Sequence, residues 1–451
     1  MQNFFNRVFN VRSGEAGLVV VMGLLLLGNN VARQMSGIVG ISDLINTGGV
    51  NQTLLVNFIN GFLIFFTALA ISQIVDRFHR IELLKWTCFT FAMVFLLLRV
   101  VSIFNVSVKL IAALIYLMSQ QQWLVFPMFF WVLANDIFEV AQAKRLIPVI
   151  GSWSFVGKLI GIGLTLLPGL LFRLGWLANG ELTLEMVMLA NVSFYLIAFL
   201  LISMRLQHVR LRERSSEPQT VRQNLSEGWS FVREVPSFSY LLMAVIAVSV
   251  CDVMLEFRFF AAAKGEITDS ARYKEFYSLY LLAAAVLSFA IQSFVTSHLM
   301  QRIQIKNSFL AQPLMALGAT TAMLASPGVI SASISSLLLK VSRNTVDEAT
   351  RKAYQGFVPE ERRGRVALFT DNYAPAIGMI LASAITGLVV YAGIQTGFDY
   401  AFYIYLGISA LVALFALWAV LRLRKVYESS FMNWRLKRRK RAVEVLKKLE
   451  F

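Results

Sequence analysis

The sequence predicts an all-α integral membrane protein of twelve transmembrane helices in two six-helix halves. Three observations carry this reading: the balance of apolar to charged residues, the lengths of the apolar runs, and an echo between the two halves of the chain. Hydrophobic residues make up 57% of the 451 and charged residues 15%, with a mean hydropathy of +0.65. A water-soluble domain of that length could not hide so much apolar surface in one core. A helix of about 20 apolar residues crosses the hydrocarbon layer because it satisfies every backbone group internally. Period-two alternation is absent, so the spans are helices and not barrel strands.

Taken in order, the spans fall near 17–42, 53–75, 82–104, 108–134, 147–172, 184–204, 238–260, 276–298, 308–325, 328–343, 366–394 and 399–422. The first follows MQNFFNRVFNVRSGE. It is too long, and too polar at Asn29, Asn30 and Arg33, for a signal-peptide core, so it is expected in the mature protein. Residues 1–205 form the N-terminal half, 206–237 a polar linker, 238–423 the C-terminal half and 424–451 a basic tail. The net charge of +16 comes from Lys and Arg concentrated in loops and in that tail. Placing both termini in the cytoplasm puts the basic residues of 76–80, 143–145, the linker and 351–365 inside, as expected of a multi-pass plasma (inner) membrane protein. One loop fits poorly: Lys264, Arg272 and Lys274 stand among Glu266, Asp269 and Glu275 on the opposite side.

After the fourth span comes NDIFEVAQAKR, and after the tenth NTVDEATRKAY; each gives Asn, then an acid, an Ala and a basic pair. Two sixes with corresponding loops suggest parallel repeats about an axis along the membrane normal, the major-facilitator architecture. The polar stretch LANDIFEVAQAKRL is then a cytoplasmic turn between two spans.

Ionisable groups at membrane depth are costly, so each one is a candidate for function. Arg33 shares a helical face with Asn29 and Asn30 and suits an anion, or else a structural carboxylate partner. Asp252 and Glu256 stack at i,i+4 in the seventh span, where one would hold a proton unless a cation intervenes. Arg258 is near in sequence but on another face. Lys158 lies in the fifth span beside Gly157 and Gly161, a small-xxx-small pattern that permits close helix approach. Lys340, Arg343, Asn344, Asp347 and Arg351 step out of the tenth span, with Arg343–Asp347 and Asp347–Arg351 possible i,i+4 pairs. That ladder reads as a solvated extension, Arg343 being the exception that could meet substrate. The resulting assignment gives substrate binding to Arg33, Asn29, Lys158, Glu256 and Arg343, and coupling or gating to Asp252, Glu256 and Asp136.

Other classes find little support. GSWSFVGKL fails as a phosphate loop because Leu159 replaces the required Ser or Thr and no strand precedes it. His79, His208 and His298 are scattered, which argues against a metal, and no cofactor is expected. Cys88 and Cys251 read as small buried hydrophobes. The tail RLKRRKRAVEVLKK follows a span directly and suits anionic lipid better than nucleic acid. The chain is taken as a monomer.

Four stretches resemble the ATP/ADP-exchanging nucleotide transporters of plastids and intracellular bacteria and their bacterial relatives. They are EAGLVVVMGLLLLGNNVARQM, FFWVLANDIFEVAQAKRLIPVIG, VMLEFRFFAAAKGEI and ATRKAYQGFVPEERRGRVALFTD. The resemblance implies the major-facilitator fold and transport. It implies ATP less well: Ser36 and Gly37 stand where the family has a Lys-Asp pair, Ser119 or Gln120 where it has an acid, and Ile377 near its Lys. Glu256 alone keeps a charged, substrate-linked position, while Arg33 could match the family Arg. The expected function is secondary transport of a small organic anion, nucleotides among the candidates, by alternating access. The rival is a non-transporting membrane sensor or scaffold on the same fold. An enzyme would need a convergent catalytic constellation that the sequence does not display.

Overall fold

The computed structural model describes residues 15–449 apart from 76, 105, 177–179, 208, 210–228, 297–301 and 359. The N-terminal 14 residues, most of the linker, His208 and His298 lie outside the described residues, as do the side chains of the tail beyond 429.

Every apolar run is a helix. In chain order they are α1 Ala16–Gly48, α2 Gln52–Ile74, α3 Arg80–Ile103, α4 Val108–Ile137, α5 Val140–Arg173, α6 Leu184–Arg205, α7 Pro236–Glu266, α8 Ser270–Ile291, α9 Ala311–Ala325, α10 Val329–Ser342, α11 Ala374–Thr396 and α12 Ala401–Leu449. Eleven helical segments among the described residues are long and apolar enough to cross a membrane. The twelfth expected span, α10, has 14 α-helical residues and is continued by a π-helical turn, Arg343–Asp347, and a further helix, Glu348–Gln355. A second π-turn, Phe369–Tyr373, leads into α11. The backbone of α12 stays helical for 49 residues, about 70 Å, far beyond what a bilayer needs.

Two compact units are present. The first, residues 1–56, 66–218 and 264–285, is built around α1. Its core joins Met22, Leu25 and Leu26 of α1 to Phe126, Phe130 and Leu133 of α4 and Tyr195 and Ile202 of α6. Glycines set the closest approaches. A Cβ at Gly157 of α5 would lie 2.5 Å from the Leu27 carbonyl, and one at Gly161 would lie 2.8 Å from the Gln34 Cβ. The small-xxx-small pair therefore does what its spacing suggests and lays α5 directly against α1. On another side of α1, Gly40 would bring a Cβ to 2.8 Å from the Tyr116 amide of α4.

The second unit, residues 57–65, 219–263 and 286–451, packs Phe238, Leu241 and Val245 of α7 against Phe309, Tyr354, Val366, Ala374 and Val420. Here Gly378 of α11 allows a close approach, since a Cβ there would meet the Ser249 Cβ of α7 at 2.6 Å.

The turn at 133–146 is resolved in detail. α4 ends at Ile137, Phe138 is extended, and Glu139 caps α5 in a capping box with Gln142. Arg145 turns back to Glu15 at 2.8 Å. Asp136 is buried against Arg80 at the start of α3. Of the charges that interrupt this apolar stretch, Asp136 and Arg145 thus pair with Arg80 and Glu15 from outside it and Glu139 caps α5, while the side chain of Lys144 lies outside the described residues.

Candidate functional site

In the first unit, a line of polar side chains runs down the face that α1 turns toward α4 and α6. Gln122 donates to the Asn191 carbonyl oxygen at 2.7 Å, and Asn191 donates to Ser36 at 2.9 Å. One turn away, the Tyr195 hydroxyl donates to Asn29 Oδ1 at 2.7 Å. Asn29 is 3% exposed, yet its Nδ2 has no acceptor. Arg33, one helical turn further on, is half-buried. Its Nε likewise has no acceptor, and no carboxylate among the described residues pairs with it. Two donors, one of them cationic, are therefore left without acceptors on one face of α1.

Ser36, Gly37 and Ser119, the last being one of two positions, with Gln120, where the resemblance implies an acid, also fall on this part of the unit. Ser36 belongs to the amide network, and a Cβ on Gly37 would lie 3.4 Å from Ser119 Oγ. Small neutral residues meet where the resemblance would place a lysine, an aspartate and an acid. Lys158 is half-buried on α5, next to the glycine that touches Leu27.

In the second unit, by contrast, the cations around the cleft have acids, and Arg258 of α7 is an exception among its described spans. Arg343 Nη1 lies 2.7 Å from Asp252 Oδ2, and Lys340 Nζ lies 3.3 Å from Glu256. Asp252 and Glu256 share a face of α7 as their spacing implies, and each meets its own cation from α10 or the turn that follows it. Arg351 Nε lies 2.9 Å from Asp347, while its Nη1 reaches Asp371 at 3.1 Å. Lys352 approaches the other Asp371 oxygen at 2.7 Å, and Gln355 donates to both Thr370 and Asp371. Burial works against the charge of the Arg351 guanidinium, but Asp347 and Asp371 outweigh it and hold its pKa above the ordinary value.

Two expectations need correction. The ladder from Lys340 to Arg351 is not a solvated extension: Asp347 and Arg351 are only 15% and 13% exposed. Arg343 pairs across to α7 instead of with Asp347 along its own helix. The physical reason is the π-turn at 343–347. It widens the helix by a residue, breaks the regular i,i+4 register there, and sends the two side chains to different partners. The second π-turn positions Asp371 in the same way.

Asp252, Arg343, Asp347 and Arg351 line one cleft of the second unit with apolar Leu241, Val245 and Phe309; it encloses about 400 Å³ including its open mouth. Gln312 lies on its wall with Nε2 on the Leu339 carbonyl and its Oε1 unmatched, and Asp252 Oδ1 is unmatched as well. Arg258 is turned elsewhere, against the Pro327 carbonyl and 4.2 Å from the Phe402 ring centroid. No cluster of metal-ligating side chains occurs among the described residues.

A third charged group lies in the first unit, in the loop whose charge fits the topology poorly. Lys274 of α8 sits between Asp43 of α1 at 2.7 Å and Glu181 at 2.8 Å. Arg173 meets Glu275 at 2.6 Å, Lys264 donates to Asn46 at 2.6 Å, and Thr165 and Ser278 share a hydrogen bond of 3.0 Å. Lys264, Lys274 and Glu275 of that loop are thus engaged within the unit. Sequence reasoning missed Gln312, Asp371, Gln355, Asp43 and Tyr195. The acids were visible as charges in or beside apolar runs. The amides and the tyrosine hydroxyl carry no signal until their tertiary partners are known.

Helices of this number and order, with ion pairs held inside the apolar spans, give a multi-span membrane protein with a major-facilitator-like fold. No family model matches the chain, and no curated protein matches it by sequence. Solved structures do match. A bacterial homologue of the human lysosomal transporter Spinster, in an inward-facing and unoccupied conformation, is similar over 94% of this chain and 97% of its own, at 14% identity and a TM-score of 0.59. The nucleoside transporter NupG covers 90% of this chain and 99% of its own, at 13% identity and a TM-score of 0.64. A bacterial homologue of the iron transporter ferroportin in an inward-facing state covers 92% and 100%, at 14% identity and a TM-score of 0.61. At these identities the likeness shows the fold alone.

Proposed function

We propose that this chain is a secondary transporter of a small organic anion that works by alternating access in the plasma (inner) membrane, both termini cytoplasmic. The observation that carries the reading is Arg33: a cation inside a membrane-spanning helix without an acid partner among the described residues. A lone buried charge costs several kcal/mol unless something neutralises it, and a transported anion does so for part of each cycle. The nearby asparagine, Asn29, is a second donor to that anion, and Lys158 is assigned to the same pathway.

The paired charges of the second unit take the coupling role. Asp252 is held by Arg343, and Glu256 by Lys340. A proton on Asp252 weakens its hold on Arg343 and frees a guanidinium that is already 40% exposed at the cleft. Asp136, paired with Arg80 at the ends of α4 and α3, is assigned to gating, because a closed helix-end pair of this kind must open if those ends separate. The tail, helical in continuation of α12, is assigned to anionic lipid headgroups.

The resemblance to the nucleotide exchangers and the likeness to a nucleoside transporter make nucleotides one candidate class. Purified protein reconstituted in liposomes should take up or exchange an organic anion, and Arg33→Ala should abolish this. Unchanged transport in Arg33→Ala would remove Arg33 from the site. Absence of transport for every anion, with no anion shifting the melting temperature, would favour the sensor or scaffold reading.

A further inference from the structure

Resting on the carrier reading, we infer that Arg33 and Asn29 form a subsite for a single carboxylate group, so that the substrate is a monoanionic organic acid and not a nucleoside polyphosphate.

Four observations converge on the charge and shape of the ligand. Arg33 Nε and Asn29 Nδ2 are buried donors with no acceptor, and they project from α1 four residues apart, hence from one face. The Tyr195 hydroxyl occupies Asn29 Oδ1, which fixes the amide so that its NH₂ is the end left to bind something else. Two donors on neighbouring turns of one helix suit two oxygens of one planar group, and an arginine prefers to meet a carboxylate through two parallel bonds. Finally, the inventory of charge at this subsite admits one negative charge: Arg33 is the one cation of α1, and Lys158 of α5 already has an interaction of its own. In the second unit Lys340, Arg343, Arg351 and Lys352 already have acids. In the first, Arg80, Arg99, Arg145 and Lys274 have acids as well, and Ser36 and Gly37, next to Arg33 on α1, bring no charge. A phosphate chain carrying several charges would leave most of them without compensation inside the membrane.

The surroundings agree. Tyr195 is fully buried and packs on Phe91 at 5.1 Å between ring centroids; Ser36 and Asn191 are satisfied within the amide network, while Gln122 donates to it and keeps its Oε1 unmatched. Among the described residues none accepts from Arg33 Nε or Asn29 Nδ2.

The test uses purified full-length protein in detergent, with acetate, butyrate and lactate as carboxylate probes and inorganic phosphate and ADP as the alternatives. Wild-type protein should melt higher with at least one carboxylate, and Arg33→Gln should lose that shift. Asn29→Asp keeps the shape and the bond from Tyr195 while giving Arg33 an acid of its own. It should melt about 2 °C above wild type without ligand and respond to no carboxylate. Asn29→Leu should melt no higher than wild type and should bind carboxylate more weakly. If phosphate or ADP stabilises the protein through Arg33 as well as the carboxylates do, the carboxylate assignment falls while the anion-carrier reading stands. If Asn29→Asp melts as low as Asn29→Leu, or no carboxylate shifts the wild type, Arg33 is not awaiting a carboxylate and the subsite is wrong.

Discussion

Asp252 and Arg343 form a pair whose members lie 91 positions apart in the chain, and its energetics belong to those two side chains. Asp252 is 10% exposed, so removing its cation strands a nearly buried carboxylate. Arg343→Leu should lower stability by about 1–3 kcal/mol. Adding Asp252→Asn should restore most of the loss, because an amide needs no cation. Melting curves of the two single variants and the double variant check this, and strictly additive losses would show that the pair is not coupled. The same comparison explains why Arg343 was misplaced on sequence grounds. Its nearest acid along a regular helix is Asp347, and only the π-turn together with α7 redirects it. Asn29 and Arg33, by contrast, could be grouped from spacing alone, since both lie on one regular helix.

Among the elements, α1 and α5 meet through glycine. Gly161→Val should place two methyl groups where the Val31 carbonyl and the Gln34 side chain already stand, and cost about 1–3 kcal/mol or prevent folding. Gly163→Ala on the same helix has nothing within 4 Å of its new methyl and should be neutral. Yield and melting temperature after purification decide between them; equal behaviour would contradict the packing described. The loop of mixed charge finds its account at this scale too. Its sequence showed unlike charges in one loop, whereas their partners Asp43, Glu181 and Arg173 come from three other segments. Lys274→Met removes the ammonium shared by Asp43 and Glu181. A cysteine placed at the buried Ser278 should then react severalfold faster with a membrane-impermeant maleimide than in the parent, where native Cys88 and Cys251 are both buried. Equal rates would mean that the ion pairs do not restrict access to this end of α8.

For the molecule as a whole, twelve apolar runs and their order were enough to reach the fold, because lipid leaves the backbone few alternatives to the helix. The polar interior was less legible. Asp371 stands after a short amphipathic stretch, and Gln312 and Gln355 are uncharged, so nothing local marks them as neighbours of Arg351 or of the cleft. The substrate is the least legible of all, since it depends on which charges remain unpaired after folding. Among the described residues that remainder includes Arg33 in the first unit, and in the second an unmatched Asp252 oxygen and Arg258, which meets a carbonyl and a ring but no acid. The most direct measurement of an anion carrier coupled through Asp252 is a paired assay in proteoliposomes, uphill uptake and tracer counterflow of an organic anion, on wild type, Arg33→Ala and Asp252→Asn. The account predicts that Asp252→Asn loses uphill uptake but keeps counterflow, while Arg33→Ala loses both. Counterflow in Arg33→Ala equal to that of wild type would contradict it.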